Sequence, residues 1–407
     1  MKIATKSILS IIIIAALLVV GWLYLVKGYI SVKIRHAVPS ELTYNAQVHG
    51  IKDVRVIIDP MRLIKGEKTY DIMYKSALSK PKFSNPEINV VSISGGGANG
   101  AYGAGILCGW TKAGDRPVFD VVTGVSTGAL IAPAAFAGAS YDSLIKDIYT
   151  NISDADIMKQ NFIDFLLEGR PSILDTQPLR NVLKKAVTKK LIDEIAREHA
   201  KGRRLYIATT NLDARRAVIW DMGAIATVGT PESIELFRNV MIASASIPVA
   251  FPPVMIKVEA GGHIYEEMHV DGSVATQSFG SGIIMGSDEA KTKKVNFYLI
   301  KNGKFADAPE QVPLKIWDIA GAAFSTLMTW QSYGDIFRSH MLAKYESMNL
   351  YFTFIPQEFN EPRKGEFDLG YMRKLFYRGF RTAQSGDYWI REIGNRVEDG
   401  NKGQTPI

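Results

Sequence analysis

The sequence has few of the residues that build disulfides, zinc sites or redox centres. Its 407 residues include one cysteine, Cys108, and six histidines. A lone thiol can form neither an internal disulfide nor a zinc ribbon nor a CxxC redox pair. The Cys, His and carboxylate residues also show no cluster with metal-ligand spacing. We therefore expect no cofactor and no metal.

Charged residues are not abundant, and neither sign strongly exceeds the other. They make up 22% of the chain, with a formal net charge of +7, while hydrophobic residues make up 47%. This balance is typical of a globular protein and excludes disordered, collagenous and polytopic membrane chains. The positive excess could suit an anionic membrane surface or nucleic acid, but it is modest and spread along the chain, so it decides nothing alone. We expect no nucleic-acid partner.

A long uncharged run lies near the N-terminus, from Ile8 to Val26. As a helix it is long enough to cross most of a bilayer. A cleaved signal peptide has a shorter apolar stretch and a small-x-small cleavage site, whereas this run leads into WLYLVKGYIS, whose aromatic residues are typical of a membrane interface. The run therefore predicts a retained single-pass membrane anchor, with a cleaved signal as the alternative. The short basic N-terminus resembles an export signal, so we expect the main body of the chain outside the cytoplasm.

The composition divides the chain into four predicted segments. The stretch SKPKFSNPE is rich in Pro, Ser and Asn and predicts a boundary. We expect an anchor or signal over residues 1–27, a connecting segment over 28–85, the main domain over 86–300, and a C-terminal extension packed on that domain over 301–407.

Two strand-turn-helix units follow this boundary. Ile88–Ile93 and Phe119–Thr123 are mainly apolar and β-branched, which predicts strands buried on both faces. The helix-like stretches Ala101–Ala113 and Ala129–Ala137 come after them. This order favours a parallel, doubly wound α/β sheet. Periodicity further predicts strands at Arg204–Thr209 and Val295–Ile300 and an amphipathic helix at Leu179–Ala200.

A candidate nucleophile lies where the second strand meets its helix. Gly124-Val-Ser126-Thr-Gly128 matches G-x-S-x-G in the strand-to-helix context of a nucleophile elbow. The turn is so tight that larger flanking side chains would clash, and it presents the serine hydroxyl at the carboxyl edge of the sheet. Ser126 is therefore the predicted nucleophile.

The glycine-rich stretch after the first strand, SGGGANG from Ser94 to Gly100, is the predicted oxyanion site. Backbone amides aimed at a developing oxyanion contribute strongly to the rate of acyl transfer. Glycines permit the unusual backbone angles that this aim requires. The spacing of Gly95, Gly97 and Gly100 also fits a dinucleotide fingerprint. That fingerprint needs an acid at the end of the next strand, whereas Asp120 stands at its beginning.

The base that would activate Ser126 is less clearly marked. No histidine stands in a diagnostic motif, whereas Asp271 lies in a Val-Asp-Gly-Ser turn. An aspartate can accept a serine proton when the geometry is right. An Asp-Gly pair alone is more often an ordinary turn, so these residues leave the base open.

Four motifs together are more specific. SGGGANGAYGAG, GVSTGAL, ASASIPVAFPPV and VDGS occur in this order, and the chain resembles the patatin-like phospholipase family over roughly Ile88 to Ile300, with a continuation around Phe367–Asp387. The resemblance implies a three-layer α/β/α fold with a mainly parallel central sheet. It also implies hydrolysis of lipid acyl esters by a Ser–Asp dyad, without histidine or metal.

The resemblance assigns roles to particular residues. It makes Ser126 the nucleophile, Asp271 the base, and the amides of Gly96, Gly97 and Ala98 the oxyanion hole. Two other positions depart from the family pattern: Asn99 stands where Arg or Lys is usual, and Ser273 stands where Gly or Ala is usual.

The sequence thus predicts a membrane-anchored serine acyl hydrolase that cleaves phospholipids or lysophospholipids through an acyl-enzyme. Its expected partner is a lipid substrate at a membrane surface. One alternative is an esterase of the α/β-hydrolase type with Ser126, Asp271 and His340 as its triad. The other is a catalytically silent lipid-binding scaffold of the same fold, which the loss of charge at Asn99 would suit.

Overall fold

A mixed β-sheet forms the centre of the protein. The structure, a computed structural model, describes residues 13–25, 35–76, 78–157, 159–160, 172, 174–284, 287–306, 309–386 and 388–391. Its strands are β1 (Gln47–Val48), β2 (Arg55–Ile57), β3 (Glu87–Ile93), β4 (Val121–Gly124), β5 (Lys159–Gln160), β6 (Leu174–Asp175), β7 (Arg204–Asn211), β8 (Arg216–Asp221), β9 (Val254–Ala260), β10 (His263–Asp271), β11 (Lys294–Lys304) and β12 (Asn349–Ile355).

The main sheet has 10 strands in the order β1-β9-β10-β7-β4-β3-β11-β12, with β8 paired to β7 and β2 paired to β8. The neighbours β7, β4, β3, β11 and β12 run parallel. This parallel centre confirms the predicted α/β class. The remaining strands add antiparallel pairs beyond β7. Strands from the predicted connecting segment and C-terminal extension join this one sheet, and the predicted segment limits stay a prediction.

Helices cover both faces of the sheet. They are Pro60–Ile64, Thr69–Ser76, Gly100–Ala113, Thr127–Ala137, Asp142–Asn151, Asp154–Ile157, Gln177–Ala186, Lys189–Ala200, Met222–Val228, Pro231–Ser244, Ser281–Ile284, Asp288–Thr292, Ile316–Tyr345 and Leu369–Gln384. The buried residues of β3 divide between two hydrophobic clusters: Val91 and Ile93 belong to one, and Ile88 and Val90 to the other. A sheet with an apolar cluster on each face and helices outside both clusters is a three-layer α/β/α arrangement, as predicted.

The predicted helix Leu179–Ala200 is two helices. The first, Gln177–Ala186, stops before Val187, and Thr188 then caps the second, Lys189–Ala200, by accepting the amide of Leu191 at 3.4 Å. The prediction of a single helix over Leu179–Ala200 was therefore wrong. The apolar spacing continues across the break, and the Thr188 cap was the signal that would have located it.

The structure gives the predicted N-terminal membrane span no support. Residues 13–25 are helical with exposed side chains, and the rest of the Ile8–Val26 run lies outside the described residues. In the part of the chain that the structure describes, no helix combines the length and the apolar composition that a membrane crossing requires.

Candidate active site

Ser126 lies in a strained turn between β4 and the helix Thr127–Ala137. Its backbone angles are φ 53° and ψ −123°, which non-glycine residues rarely adopt. The glycines on either side are required by close packing. A Cβ atom at Gly124 would lie 2.5 Å from the carbonyl oxygen of Gly128, and one at Gly128 would lie 2.1 Å from that of Ile93. The turn thus has the form that the G-x-S-x-G motif predicts.

Asp271, the last residue of β10, lies beside this serine. The Ser126 hydroxyl donates a hydrogen bond to Oδ2 of Asp271 at 2.7 Å. The backbone amide of Ser273 donates to the other carboxylate oxygen at 2.8 Å. Both side chains are buried, since Ser126 is 5% exposed and Asp271 is 1% exposed. The structure therefore brings the predicted nucleophile and the predicted base together.

The sheet explains how residues 145 positions apart meet. β7 pairs in parallel with β4, which leads to Ser126, and antiparallel with β10, which ends at Asp271. The Thr210 hydroxyl donates to the Asp271 carbonyl at 2.9 Å, and the Asp271 amide donates to the Ser246 carbonyl at 2.9 Å. These two hydrogen bonds hold the backbone of Asp271 in place through its carbonyl and its amide.

Burial changes the acidity of this carboxylate. It raises the pKa of Asp271 to about 6, although hydrogen bonds from Ser126 and Ser273 oppose the shift. A carboxylate with a raised pKa is a stronger base than an exposed aspartate, yet it stays largely ionised at neutral pH. The site is therefore electrostatically suited to accept the serine proton.

The glycine loop between β3 and the helix Gly100–Ala113 forms another wall of the site. A Cβ atom at Gly95 would lie 3.2 Å from the Cβ of Ser126, so this loop is close to the predicted nucleophile. Gly96 and Gly97 have positive φ angles of 151° and 55°. Among the described residues, no carbonyl or side chain accepts a hydrogen bond from the amides of Gly96, Gly97 or Ala98. These amides are available as donors to a ligand.

Asn302, on β11, holds the glycine loop in place. Its side-chain amide donates to the Ser94 carbonyl at 2.8 Å, and its backbone amide donates to the Ser94 hydroxyl at 2.8 Å. Its side-chain oxygen accepts the amide of Gly103 at 3.0 Å. A Cβ atom at Gly96 would lie 2.0 Å from the Asn302 carbonyl oxygen. Sequence reasoning missed this residue, because no local motif marks a contact across 208 positions.

Asp335, on the helix Ile316–Tyr345, supports the turn after the predicted base. Its Oδ2 accepts the amides of Gln277 and Ser278 at 2.8 and 3.1 Å and the hydroxyl of Thr276 at 3.1 Å. Burial raises the pKa of Asp335. The sequence offered no signal for this role, because an isolated Asp in a long helix is normally on its surface.

The histidines are placed differently from what a triad requires. Within the described ranges, neither Ser126 nor Asp271 hydrogen-bonds a histidine. His340 is buried on the helix Ile316–Tyr345. His269 is close to Asp271 in sequence, but its ring bonds Thr209 at 2.9 Å and Glu267 at 3.0 Å.

No set of three or more His, Cys, Asp or Glu side chains in the described residues could hold a metal ion.

Comparison with known proteins gives one decisive match. Residues 91–278 match the profile of the family described as "Patatin-like phospholipase". This part of the chain is a patatin-like phospholipase domain. The predicted family is therefore confirmed, and so is the general assignment to the lipid acyl hydrolases.

Other comparisons add little to the patatin-like domain. No curated protein matches the chain in sequence. Among solved structures, VipD from Legionella pneumophila is 14% identical, with 79% of this chain and 73% of that chain covered and a TM-score of 0.35. At that TM-score, the likeness supports no statement about this protein.

The patatin-like domain meets the helix Leu369–Gln384 beside the glycine loop. The hydroxyl of Tyr371 donates to Oδ1 of Asn99 at 2.7 Å. A Cβ atom at Gly97 would lie 3.2 Å from Oε1 of Glu366. The position where the family usually has Arg or Lys thus carries a neutral amide bonded to the helix Leu369–Gln384. Sequence reasoning noted Asn99 but found no partner for it.

Proposed function

We propose that the protein hydrolyses acyl esters of phospholipids or lysophospholipids with a Ser126–Asp271 dyad. The observation that carries this proposal is the 2.7 Å hydrogen bond from the Ser126 hydroxyl to Asp271, made in a strained strand-to-helix turn. A nucleophile that directly touches its base needs no histidine between them. The family match supports a lipid ester as the substrate class.

In the first step, Oγ of Ser126 attacks the acyl carbonyl carbon and its proton moves to Oδ2 of Asp271. The tetrahedral intermediate then collapses, the bond to the leaving alcohol breaks, and Asp271 returns the proton to that alcohol. In the second step, Asp271 takes a proton from water, which attacks the acyl-enzyme. The fatty acid leaves and Ser126 regains its proton.

The amides of Gly96, Gly97 and Ala98 are proposed to hold the oxyanion in both steps. Their loop lies against Ser126, and the 3₁₀ turn Gly97–Asn99 leads directly into the helix Gly100–Ala113. The positive end of that helix dipole favours negative charge at this position. Donors held in place before the reaction need no reorganisation as charge develops.

The proposal includes the N-terminal anchor, with the catalytic body outside the cytoplasm. It is supported by the amino-acid sequence alone, through the uncharged run Ile8–Val26 and the short basic stretch before it. Full-length protein should stay with the membrane fraction after a carbonate wash, because an inserted helix is not held by charge. An intact mass that lacks this run would contradict a retained anchor.

A fluorophosphonate probe and mixed phospholipids test the function together. The probe should modify Ser126, as mapped by peptide mass spectrometry, and Ser126→Ala should abolish the labelling. Incubation with mixed phospholipids should release free fatty acids and lysophospholipids, or glycerophosphodiesters from lysophospholipids. Folded protein that takes no label and releases no fatty acid would be a scaffold, and the proposal would fail.

A further inference from the structure

The helix Ile316–Tyr345 exposes an unusual amount of apolar surface. Its 30 residues extend about 45 Å. An outer stripe, repeated at helical spacing, is exposed to solvent and consists of Ile319, Leu327, Trp330, Phe337, Met341 and Tyr345. Leu327 is 70% exposed and Trp330 is 68% exposed. Large apolar side chains grouped in this way on a surface indicate an interaction site.

The opposite side of the same helix is attached to the catalytic machinery. Asp335 binds the backbone after the predicted base, as described above. Closer to the nucleophile, the side-chain amide of Gln277 donates to the sulfur of Met328 at 3.3 Å. Oε1 of Gln277 would lie 3.1 Å from a Cβ atom at Gly95, whose position also touches Ser126. Leu327 of the outer stripe thus lies next to the wall of the active site, because it adjoins Met328 in the chain.

The charges around the stripe favour an anionic partner. Lys315 and Lys344 are exposed at the two ends of the helix. The side chain of Arg338 is 67% exposed beside Phe337, and its guanidinium pairs with the buried Asp335 at 3.1 Å. Acidic residues within the helix are Asp318, in its first turn, and the buried Asp335. Exposed aromatic and aliphatic side chains bordered by cations are the pattern of a helix that lies in a membrane interface.

We propose that the outer stripe docks on an anionic phospholipid surface, so that the active site opens against the membrane that holds its substrate. The inference rests on the proposed function. A helix that contacts the bilayer on one side and the Gln277 wall on the other would shorten the path of a lipid from the bilayer to Ser126. In this proposal the outer stripe lies on the face of the protein that contacts the membrane and its substrate lipids.

Spin labels measure this contact without any need for turnover. In full-length protein carrying Cys108→Ala and Ser126→Ala, one label is placed through Leu327→Cys and a control label through Val118→Cys. Val118 is matched because it is 64% exposed and lies just before β4, at the end of that strand opposite Ser126. The N-terminal run is the same in both proteins.

The labels are compared with and without vesicles of phosphatidylcholine mixed with phosphatidylglycerol. With vesicles, the label at 327 should lose most of its accessibility to a water-soluble nickel reagent and gain accessibility to oxygen, while the label at 118 should not change. Equal nickel accessibility at 327 with and without vesicles would overturn the proposal. A label at 327 already shielded without vesicles would assign the stripe to a second copy of the chain, and would also overturn it.

Hydrolysis rates separate failure of this inference from failure of the proposed function. Leu327→Glu should lower the ratio of vesicle hydrolysis to hydrolysis of a water-soluble ester by about tenfold or more, because a charge opposes insertion of the stripe. Val118→Glu should keep the wild-type ratio. An unchanged ratio in Leu327→Glu would overturn the docking proposal alone. If wild-type protein hydrolyses neither substrate, the proposed function fails, and the spin labels still decide the docking.

Discussion

The backbone amide of Ser126 donates a hydrogen bond to the hydroxyl oxygen of Ser244, 3.0 Å away and 118 positions later in the chain. The Ser244 hydroxyl in turn donates to the carbonyl of Ala208 on β7 at 2.7 Å. Ser126 has a positive φ angle, which must be stabilised by its surroundings. Ser244 therefore links the nucleophile's backbone to the strand that also positions Asp271.

Replacing Ser244 by alanine should weaken both the fold and catalysis. Ser244→Ala removes the acceptor of the buried Ser126 amide and a donor to the Ala208 carbonyl, which should lower the free energy of unfolding by ~1–3 kcal/mol. Because the serine would be less well placed, kcat should fall about tenfold. Urea unfolding and kcat on a soluble ester measure the two effects.

Ser246→Ala is the matched control for this change. Ser246 is equally buried, but its hydroxyl donates to the Ile242 carbonyl at 2.8 Å and not to the backbone of Ser126 or Asp271. The Ser246 carbonyl that accepts the Asp271 amide is unchanged in this variant. We expect kcat near that of wild type. If Ser244→Ala and Ser246→Ala have the same kcat, Ser244 does not position Ser126.

Asn302 should affect the rate more than substrate binding. Asn302→Ala removes the side-chain contacts to Ser94 and Gly103 that hold the glycine loop. The backbone amides of this loop are proposed to stabilise charge that develops in the transition state. Without Asn302 to hold them, kcat should fall by about tenfold to a hundredfold, with KM little changed. Asn296→Ala, on the same strand but bonded to Glu87 and Asn89, is the control. Equal kcat values for the two variants would contradict the assigned role.

The rate should depend on the ionisation of Asp271. Burial raises the pKa of Asp271 to about 6, and only the carboxylate can accept the serine proton. Hydrolysis of a soluble ester should therefore fall about tenfold per pH unit below pH 6 and reach a plateau above it. A carboxyl group ionises with little heat, so the apparent pKa should hardly move with temperature. A midpoint that shifts strongly on warming would indicate a histidine base instead.

The same pKa shift has the opposite effect on stability: ionisation of Asp271 should raise the rate but lower the free energy of unfolding. Because the folded-state pKa of about 6 exceeds the ordinary 3.8, the native state binds a proton first as pH falls. The Asp271 carboxylate therefore destabilises the fold above about pH 6, and the penalty disappears as pH falls toward about 4. Asp271→Asn should unfold at higher urea than wild type at about pH 8, with a smaller difference at about pH 5. A variant less stable than wild type at the higher pH would refute this account.

The parts of the site that could be predicted are those with a local sequence signal. Ser126 is marked by the glycines that its tight turn requires, and the parallel strands are marked by continuous β-branched runs. Asp271 had no such signal, because an Asp-Gly turn is common, and it was found only through the order of four motifs. Its contact with Ser126 now agrees with that assignment, whose catalytic roles stay a proposal.

Other features arise from long-range packing that no short motif records. Asn302 and Ser244 contact residues that are 208 and 118 positions away in the chain. Each side chain bonds a backbone carbonyl or amide of its partner, and because nearly every residue type has these groups, the partner's identity gives no signal in the sequence. β9 is a different case, because its alternately buried and exposed residues over Val254–Ala260 carry a period-two pattern that could have predicted it. The antiparallel part of the sheet beyond β7 was therefore missed although one of its strands, β9, carries a local signal.

The most direct test of the dyad is a double-mutant cycle measured as kcat on a soluble ester. Ser126→Ala and Asp271→Asn should each lower kcat by about a thousandfold or more, and the double variant should resemble the worse single one, because residues that serve one step are not additive. His340→Gln, checked for folding by circular dichroism, should keep most of the activity. If His340→Gln is folded yet as inactive as Ser126→Ala, or if the two dyad losses simply add, the Ser126–Asp271 dyad is contradicted.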